Sequence, residues 1–497
     1  MDPLNNSSEL TKVKQMAKNQ LKCVYSHDIV DLLVDRKFSR LPLALRYTTN
    51  GYLDEHQQGL ILNEMLNGKM NYKEIIREFS LVMFLLLNLI LALVFNRKKF
   101  RKSRMNPSFI FSLTPEQIVN KGSTDLLGDF LREPRFQKLF CGKYLVVESK
   151  QVYRILGKNV YRNLEVVFDT SIWIAKNCID RKTVLSVIQE SIPRLIRALQ
   201  KREKSQLQIL REYVIDEPLW RRYTDQSRFV NPINLVTTQS HFLRLPYAFY
   251  IEGKDRVVRS MLWYSTNSIP IQNRRTQAMF DPNHFKIENI DNHFVWTTEQ
   301  KKFLMRLNPY ADVTVVGSIL FMPIKSTNAK SLIANMDIAI FDVTPFNGLG
   351  VETFYSNQIM IDFMQDIVGS LKSNKKTKYS RILLKPKRNY SKKSRVGVSH
   401  SIQYMDFISN LQQNNLIEVL RADINLYELV GSVSLVVGIP FTSPVIVAKE
   451  LEVPCIYYVP ELASDWIIGK SQDGVAIVNG RKEFELFIQD LWASKSN

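Results

Sequence analysis

From about Asn106 onward the chain alternates short, nearly continuous apolar runs with longer amphipathic stretches, and this alternation restricts the possible folds more than any other feature. A strand that is apolar at consecutive positions must be covered on both faces, which a parallel sheet with helices on each side achieves. The first series of runs is YLVVES (144–149), LEVVFD (164–169), NLVTTQS (234–240), MLWYS (261–265), HFVWT (293–297) and VTVVGSILF (313–321), with a long helical stretch over 183–214. A second series starts near Asp337. It reads DIAIFDV (337–343), a helix around Ser356 to Leu371, RILLKP (381–386), a helix around Ile402 to Asn414, IEVLR (417–421), SLVVG (434–438), a helix over Pro444 to Leu451, and CIYYV (455–459). A chain of 497 residues exceeds what one core usually serves. The expected class is therefore α/β with two Rossmann-like domains in tandem, over 105–325 and 326–497, joined near Phe321 to Ala334.

The remainder reads differently. Residues 1–78 carry apolar side chains at three- and four-residue spacing, the pattern of a helical N-terminal region. Phe79 to Phe95 holds 17 residues without a charge, interrupted only by Ser80 and Asn88. Its length is at the short edge of what crosses a hydrocarbon layer of ~30 Å, so 79–96 is expected to be a membrane segment that either spans or enters shallowly. Arg97 to Arg104 (RKKFRKSR) follows with six basic residues and no acid, which places the rest of the chain on the cytoplasmic side of the membrane. A buried helix of a soluble core is the alternative reading.

The formal charge of +19 is local. Lys372 to Arg395 adds eleven basic residues without an acid; outside these two blocks, 50 basic residues face 48 acidic ones. No helix-turn-helix, zinc-finger or RNP pattern accompanies the charge, so a nucleic-acid partner is not expected. Cys23, Cys141, Cys178 and Cys455 are far apart and form no CxxC pair, which argues against a zinc site or a disulfide framework. No paired aspartate with an apolar lead-in stands out, and no metal or cofactor is expected.

In the second series SLVVG runs into Ile-Pro-Phe-Thr-Ser-Pro. Pro444 suits the first turn of a helix, where its missing N–H is not needed, and Ser443 then falls at the N-cap with Thr442 before it. Unpaired N–H groups at a helix start, with hydroxyls beside them, make an anion site, and ligands of open α/β sheets bind at this end of the strands. A Thr-Ser-Pro helix start without any ligand is the plain alternative.

With Pro440, Phe441, Thr442 and Ser443 reading PFTS, the chain resembles the bacterial polysaccharide-biosynthesis family named for that motif. The resemblance extends through WYSTNSIP (263–270), FVWTTEQ (294–300), TVVGSILF (314–321), IAIFDVTPF (338–346) and YYVPE (457–461), over roughly 105–480. It implies a glycosyltransferase of the GT-B type. In that arrangement two Rossmann-like domains face a cleft, the C-terminal one holds a nucleotide-sugar donor as co-substrate, and the N-terminal one receives a lipid-linked or growing glycan. The architecture is also similar to that of bacterial sialyltransferases, where a paired-hydroxyl turn holds the donor phosphate and a strand ending in His-Pro supplies the acid. Thr442 and Ser443 match the hydroxyl pair, but Lys385 stands where the histidine would be, which leaves the acid and the sugar open.

Candidate roles follow from position. Pro440, Phe441, Thr442 and Ser443 would form the donor turn. Lys385, Lys387 and Arg388 end a strand and could neutralise a nucleotide phosphate, or simply form a solvated loop. Asp342 and Glu461 end strands where acidic groups bind ribose hydroxyls. Asp169 and Glu148, at strand ends of the first domain, are candidates for the base that takes the acceptor's proton, or are helix caps or surface groups. His400 is a candidate acid or phosphate partner. Tyr264, Ser265 and Asn267 offer an aromatic and polar surface for the acceptor sugar. A non-catalytic assembly factor that keeps this fold is the alternative function. A sugar-nucleotide epimerase is disfavoured because no GxGxxG follows a strand.

Overall fold

The structure, a computed structural model, describes residues 72–95, 108–111, 144–147, 164–167, 169–201, 210–227, 232–238, 247–250, 256–263, 265–266, 271–275, 279–280, 290–307, 309, 311–318, 337–345, 354–373, 381–387, 390, 401–422, 424–467 and 469–496. The expected helical region over 1–78 therefore lies outside the described residues except for its last seven positions.

In the first half the strands are β1 (Ser108–Phe111), β2 (Tyr144–Val147), β3 (Leu164–Val167), β4 (Ile233–Thr237), β5 (Val257–Leu262), β6 (Ile271–Asn273), β7 (Met279–Phe280), β8 (Asn292–Val295) and β9 (Asp312–Val315). The second half holds β10 (Ile338–Phe341), β11 (Ile382–Lys385), β12 (Glu418–Val419), β13 (Leu435–Gly438), β14 (Cys455–Val459), β15 (Trp466–Ile467), β16 (Ser471–Gln472) and β17 (Val475–Asn479). Two seven-stranded sheets result, in the orders β3-β2-β1-β4-β5-β8-β9 and β12-β11-β10-β13-β14-β17-β16. The first is parallel throughout; the second is parallel except for the hairpin of β16 on β17. Each sheet reverses its winding beside its first strand, between β1 and β4 and between β10 and β13. Such a reversal opens a crevice at the carboxyl ends of the two strands. The β1, β10 and β13 runs are buried at every position, which is what their unbroken apolar sequences require.

A third, three-stranded sheet ties the halves together. β6 pairs antiparallel with β15, matching Asn273 with Trp466 and Gln272 with Ile467. Arg274 N donates to Asp465 O at 2.6 Å beside this pairing. Strands of two or three residues carry no readable periodicity, and the sequence gives no sign of them.

The described helices are α1 (Tyr72–Phe95), α2 (Thr170–Asn177), α3 (Arg181–Lys201), α4 (Glu217–Ser227), α5 (Thr298–Leu307), α6 (Asn357–Ser373), α7 (Ile402–Gln413), α8 (Leu426–Gly431), α9 (Ser443–Glu450) and α10 (Gly480–Ser496). Of the expected helix over 183–214, α3 covers the described residues up to Lys201, residues 202–209 lie outside the described residues, and a π-helical turn, Glu212–Asp216, leads into α4.

The expected membrane segment finds no support as a span. Among the described residues no helix is long and apolar enough to cross a membrane. The 79–96 run instead belongs to the 24-residue α1, which packs on α2 and α3. Val82, Leu85, Leu86, Leu89 and Ala92 recur at helical spacing and join the core of the first domain. Each of the four large side chains contributes roughly 1.5–3 kcal/mol when buried, so α1 is held along the domain by its own inner face.

Candidate functional site

The carboxyl ends of β11, β10, β13 and β14 are neighbours in the second sheet. They carry, in that order, Lys385 to Lys387, Asp342 to Thr344, the PFTS turn and Glu461. The structure thus brings the described donor-side residues to one edge, at the crevice between β10 and β13.

The turn after β13 is built by close approach. A Cβ added to Gly438 would lie 2.5 Å from Val445 Cγ2 and 2.6 Å from Thr442 Oγ1, so only glycine lets α9 descend onto the strand end. The Pro440–Phe441 peptide is cis. Thr442 is the N-cap of α9 in extended conformation, one residue earlier than the sequence pattern places it, and Ser443 and Pro444 open the helix. The Thr442 hydroxyl caps nothing; it donates to Ile439 O at 2.9 Å and is buried. Tyr355, at the approach to α6, donates its hydroxyl to Pro440 O at 2.5 Å and accepts from Phe441 N at 3.2 Å. Burial raises the Tyr355 phenol well above its ordinary range, so it stays a neutral donor. Tyr457 reaches Thr442 O at 3.4 Å, and its ring packs edge-on against Phe441 at 5.5 Å.

The other side of the turn is touched by the first domain. Thr266 N donates to Ser443 Oγ at 3.1 Å, and Thr266 Oγ1 donates to Phe441 O at 3.2 Å. A buried chain of bonds sets this loop in place. Gln300 Nε2 donates to Ser265 O at 3.0 Å while Gln300 Oε1 accepts from Trp296 N at 3.0 Å. Trp296 Nε1 donates to Trp263 O at 2.6 Å, and Trp263 Nε1 donates to His293 Nδ1 at 3.2 Å. Burial pushes His293 down to about 3, so it is neutral at physiological pH and accepts at Nδ1. Two blocks far apart in sequence, STNS and PFTS, therefore meet at the domain contact.

A second contact lies nearby. Ser318 N donates to Glu450 Oε1 at 3.2 Å, and the Ser318 hydroxyl also bonds Glu450 Oε2 and the Tyr427 hydroxyl. Glu450 ends α9, so both ends of that helix touch the first domain. Burial is the main cause that raises the Glu450 carboxyl.

Asp342 is buried and its carboxylate is surrounded by donors. Oδ1 accepts from Lys387 N at 2.7 Å; Oδ2 accepts from the Tyr390 and Tyr404 hydroxyls, each at 3.0 Å. Burial, then the Asp342 charge, raises both phenols far above their ordinary range. The aspartate thus holds the segment after β11 and the start of α7 against the end of β10. Lys385 Nζ donates to Ala422 O at 2.9 Å. Glu461 is exposed and opens a short 3-10 turn after β14. Thr344, two residues beyond Asp342, is 7% exposed, and its Oγ1 is a buried atom without a hydrogen-bond partner.

Of the residues expected in the first domain, Asp169 is not at the crevice. It follows β3 at the outer side of the sheet, and its Oδ1 caps α2 by accepting from Ser171 N at 2.9 Å and Ile172 N at 3.1 Å. Its Oδ2 pairs with Arg211 Nη2 at 2.8 Å, and Arg211 also holds Asp216. Ser265 precedes the contact residue Thr266, and its carbonyl accepts from Gln300 of the same domain. Glu148, His400, Arg388, Tyr264 and Asn267 lie outside the described residues. Among the described residues no group of three His, Cys, Asp or Glu side chains is arranged as a metal site, and Cys178 and Cys455 are free thiols. Sequence reasoning missed Thr266, Thr344 and Tyr355. The first two lay inside the motif blocks WYSTNSIP and IAIFDVTPF, but no pattern distinguishes a hydroxyl that makes a domain contact from one on the surface.

Two doubly wound sheets with a crevice at the carboxyl edge of the second, touched on one side by the first domain, define a two-domain α/β protein of the Rossmann-like kind. The family described as polysaccharide biosynthesis PFTS motif protein matches residues 197–488, more than half of the chain, and the chain belongs to that family. The match begins within α3 and includes both sheets' crossover strands β4 and β13. No protein of curated function is similar in sequence.

Among solved structures, the Anabaena protein Alr3699/HepE in complex with UDP-glucose is similar at 8% identity and TM-score 0.39, over 79% of this chain and 91% of that one. The wall teichoic acid polymerase TagF is similar at 11% identity and TM-score 0.36, over 84% of this chain and 92% of that one. TarM of S. aureus, in complex with fondaparinux, alpha-GlcNAc-glycerol and UDP, is similar at 11% identity and TM-score 0.43, over 79% of this chain and 93% of that one. The strand order, rather than these distant likenesses, carries the fold.

Proposed function

We propose that this protein is a glycosyltransferase of surface-polysaccharide assembly. In this reading the second domain binds a nucleotide-sugar at the β10/β13 crevice, and the first domain presents a lipid-linked or growing glycan. The observation that carries the reading is the place of the PFTS turn: it sits at the topological switch point of a Rossmann-like sheet and is also a contact with the other domain. A donor bound there touches the element that links the two halves. The N-terminus of α9 faces an anion favourably, the Ser443 hydroxyl still has its proton to give, and Lys387 stands just past the adjoining strand end. Thr344 supplies a buried hydroxyl whose missing bond costs about 1–3 kcal/mol unless a ligand atom restores it. Asp342 acts by positioning the Lys387 segment, since three donors already surround its oxygens. Transfer uses the chain's own groups without a metal, and the work is done on the cytoplasmic side of the membrane, where a lipid-linked acceptor is found.

The test is thermal protection of the full chain by CMP-, UDP-, GDP- and dTDP-sugars. Stabilisation by one nucleotide class is the expected result; protection by none contradicts donor binding. One observation favours a second reading, a non-catalytic assembly factor. Asp169 caps a helix and pairs with Arg211, and Lys385 bonds a backbone carbonyl, so each has a structural task. Donor protection without any sugar transfer would select that reading.

A further inference from the structure

The outer surface of the first domain is unusually apolar along two adjacent helices. Ile76, Met83, Phe84, Leu87, Ile90, Leu91 and Val94 of α1 are all more than a third exposed. At about 100° per residue they fall within an arc of roughly 120°, opposite the inner face that joins the core. The neighbouring α3 exposes Leu185, Ile192, Ile196 and Leu199, a narrower stripe of the same kind. The two helices therefore supply 11 of the 16 large apolar side chains exposed among the described residues. A patch of that extent marks an interaction surface.

The charges around it point to the partner. Lys182 and Arg197 are exposed on α3, and Glu190, its sole acidic residue, is half-buried against Arg194, Arg221 and Arg222. The start of α3 meets the end of α1, where Arg181 Nη2 donates to Val94 O at 3.4 Å. From that same end the sequence runs into RKKFRKSR (97–104), six cations without an acid. Apolar stripes bordered by cations, with Glu74, Glu78 and Glu190 falling off the stripes at about 100° per residue, complement the interface of an anionic bilayer.

We infer that α1 and α3 together form a monotopic docking face for an anionic lipid surface. Both helices lie against the bilayer, with their apolar stripes among the acyl chains and the exposed Lys182 and Arg197 of α3 towards the headgroups. This inference rests on the proposed transfer to a lipid-linked acceptor, which shares the bilayer that the face would hold. It differs from a membrane span in one respect: α3, a helix of the folded domain, takes part.

Flotation of the full chain with vesicles tests it, using phosphatidylcholine alone or with about a third phosphatidylglycerol. The variants are Leu87→Glu/Ile90→Glu on α1 and Ile192→Glu/Ile196→Glu on α3. All four positions are exposed, so the fold is expected to persist, and nucleotide-sugar protection checks it. The expected result is flotation with the anionic vesicles, reversed by ~1 M salt, and weakened about tenfold or more by each pair of changes. Loss with the α1 pair but none with the α3 pair overturns the two-helix face. Flotation that withstands salt and alkaline extraction overturns it in favour of a span. A dimer in solution that either pair converts to monomer, without vesicle binding, overturns it in favour of self-association. Donor protection that survives while flotation fails removes this face alone; its absence from the wild-type chain removes the transferase reading.

Discussion

The amino ends and the carboxyl ends of the strands are built on different principles. At the amino ends, arginine–aspartate pairs pin each sheet. Arg259 on β5 grips Asp291, just before β8, through its backbone N (2.9 Å), Nε (2.8 Å) and Nη2 (3.3 Å), and both side chains are buried. Arg381, just before β11, reaches Asp337, just before β10, at 2.6 Å. At the carboxyl end of the second sheet the buried carboxylate of Asp342 is held by one backbone N–H and two tyrosine hydroxyls, and Thr344 beside it is left unbonded. The first arrangement binds strand to strand. The second positions a loop around a crevice, at the edge proposed to take the donor.

The comparison can be broken most forcefully at the amino end. Arg259→Ala strands a buried carboxylate, and a loss of about 3–5 kcal/mol is expected by denaturant unfolding. Arg259→Ala should weaken donor binding only through the fraction unfolded; a binding defect in fully folded protein would erase the division between the two ends. Gly438→Val places side-chain atoms where Val445 and Thr442 already lie. It should cost about 1–3 kcal/mol and also abolish donor protection, because α9 must lift from the strand. Retained protection would show that the close approach is not needed for the site.

Asp342→Asn sharpens the contrast. It keeps the shape but removes the charge that attracts three donors, and about 1–2 kcal/mol of stability is expected to go, with a donor Kd weakened about tenfold as the Lys387 segment loosens. A change in stability with an unaltered Kd would make Asp342 a fold residue like Asp291.

The smallest effect is expected at the domain contact. The Glu450 carboxyl is raised chiefly by burial, so its ionised form is the disfavoured one in the folded state. The penalty is present above the folded pKa and fades as pH falls through it towards the unfolded value. Glu450→Gln should therefore raise the Tm slightly at neutral pH, with the advantage shrinking as pH falls through the raised folded pKa into the ordinary glutamate range. A variant less stable at neutral pH would mean that the Ser318 bonds outweigh the burial cost.

Much of this edge was legible in the sequence because parallel strands are written as unbroken apolar runs. IAIFDV, RILLKP, SLVVG and CIYYV all became strands, and Pro444 at the head of α9 was recognisable from its missing N–H. What could not be read was which polar groups satisfy each other across the fold. Asp342 looked like a ribose ligand because its partners Tyr390 and Tyr404 are 48 and 62 residues away. Asp169 stood open between a base and a helix cap, and the structure shows the cap. Thr266 and Ser443 are 177 residues apart, and only the folded contact shows that the two motif blocks form one structure. The core-packing role of the apolar run in α1 was hidden for a related reason. Its composition is apolar on every face, and the packing of one face against α2 and α3 is invisible without the partners.

The central claim is that the crevice beside the PFTS turn binds the donor. Titration calorimetry of the protecting nucleotide-sugar against the wild-type chain and against Thr344→Val tests it most directly. Thr344→Val removes an unbonded hydroxyl and keeps the shape, so the account predicts equal or slightly higher stability and a Kd weakened about tenfold. An unchanged Kd in a folded Thr344→Val chain, joined by an unchanged Kd in Ser443→Ala, would contradict it.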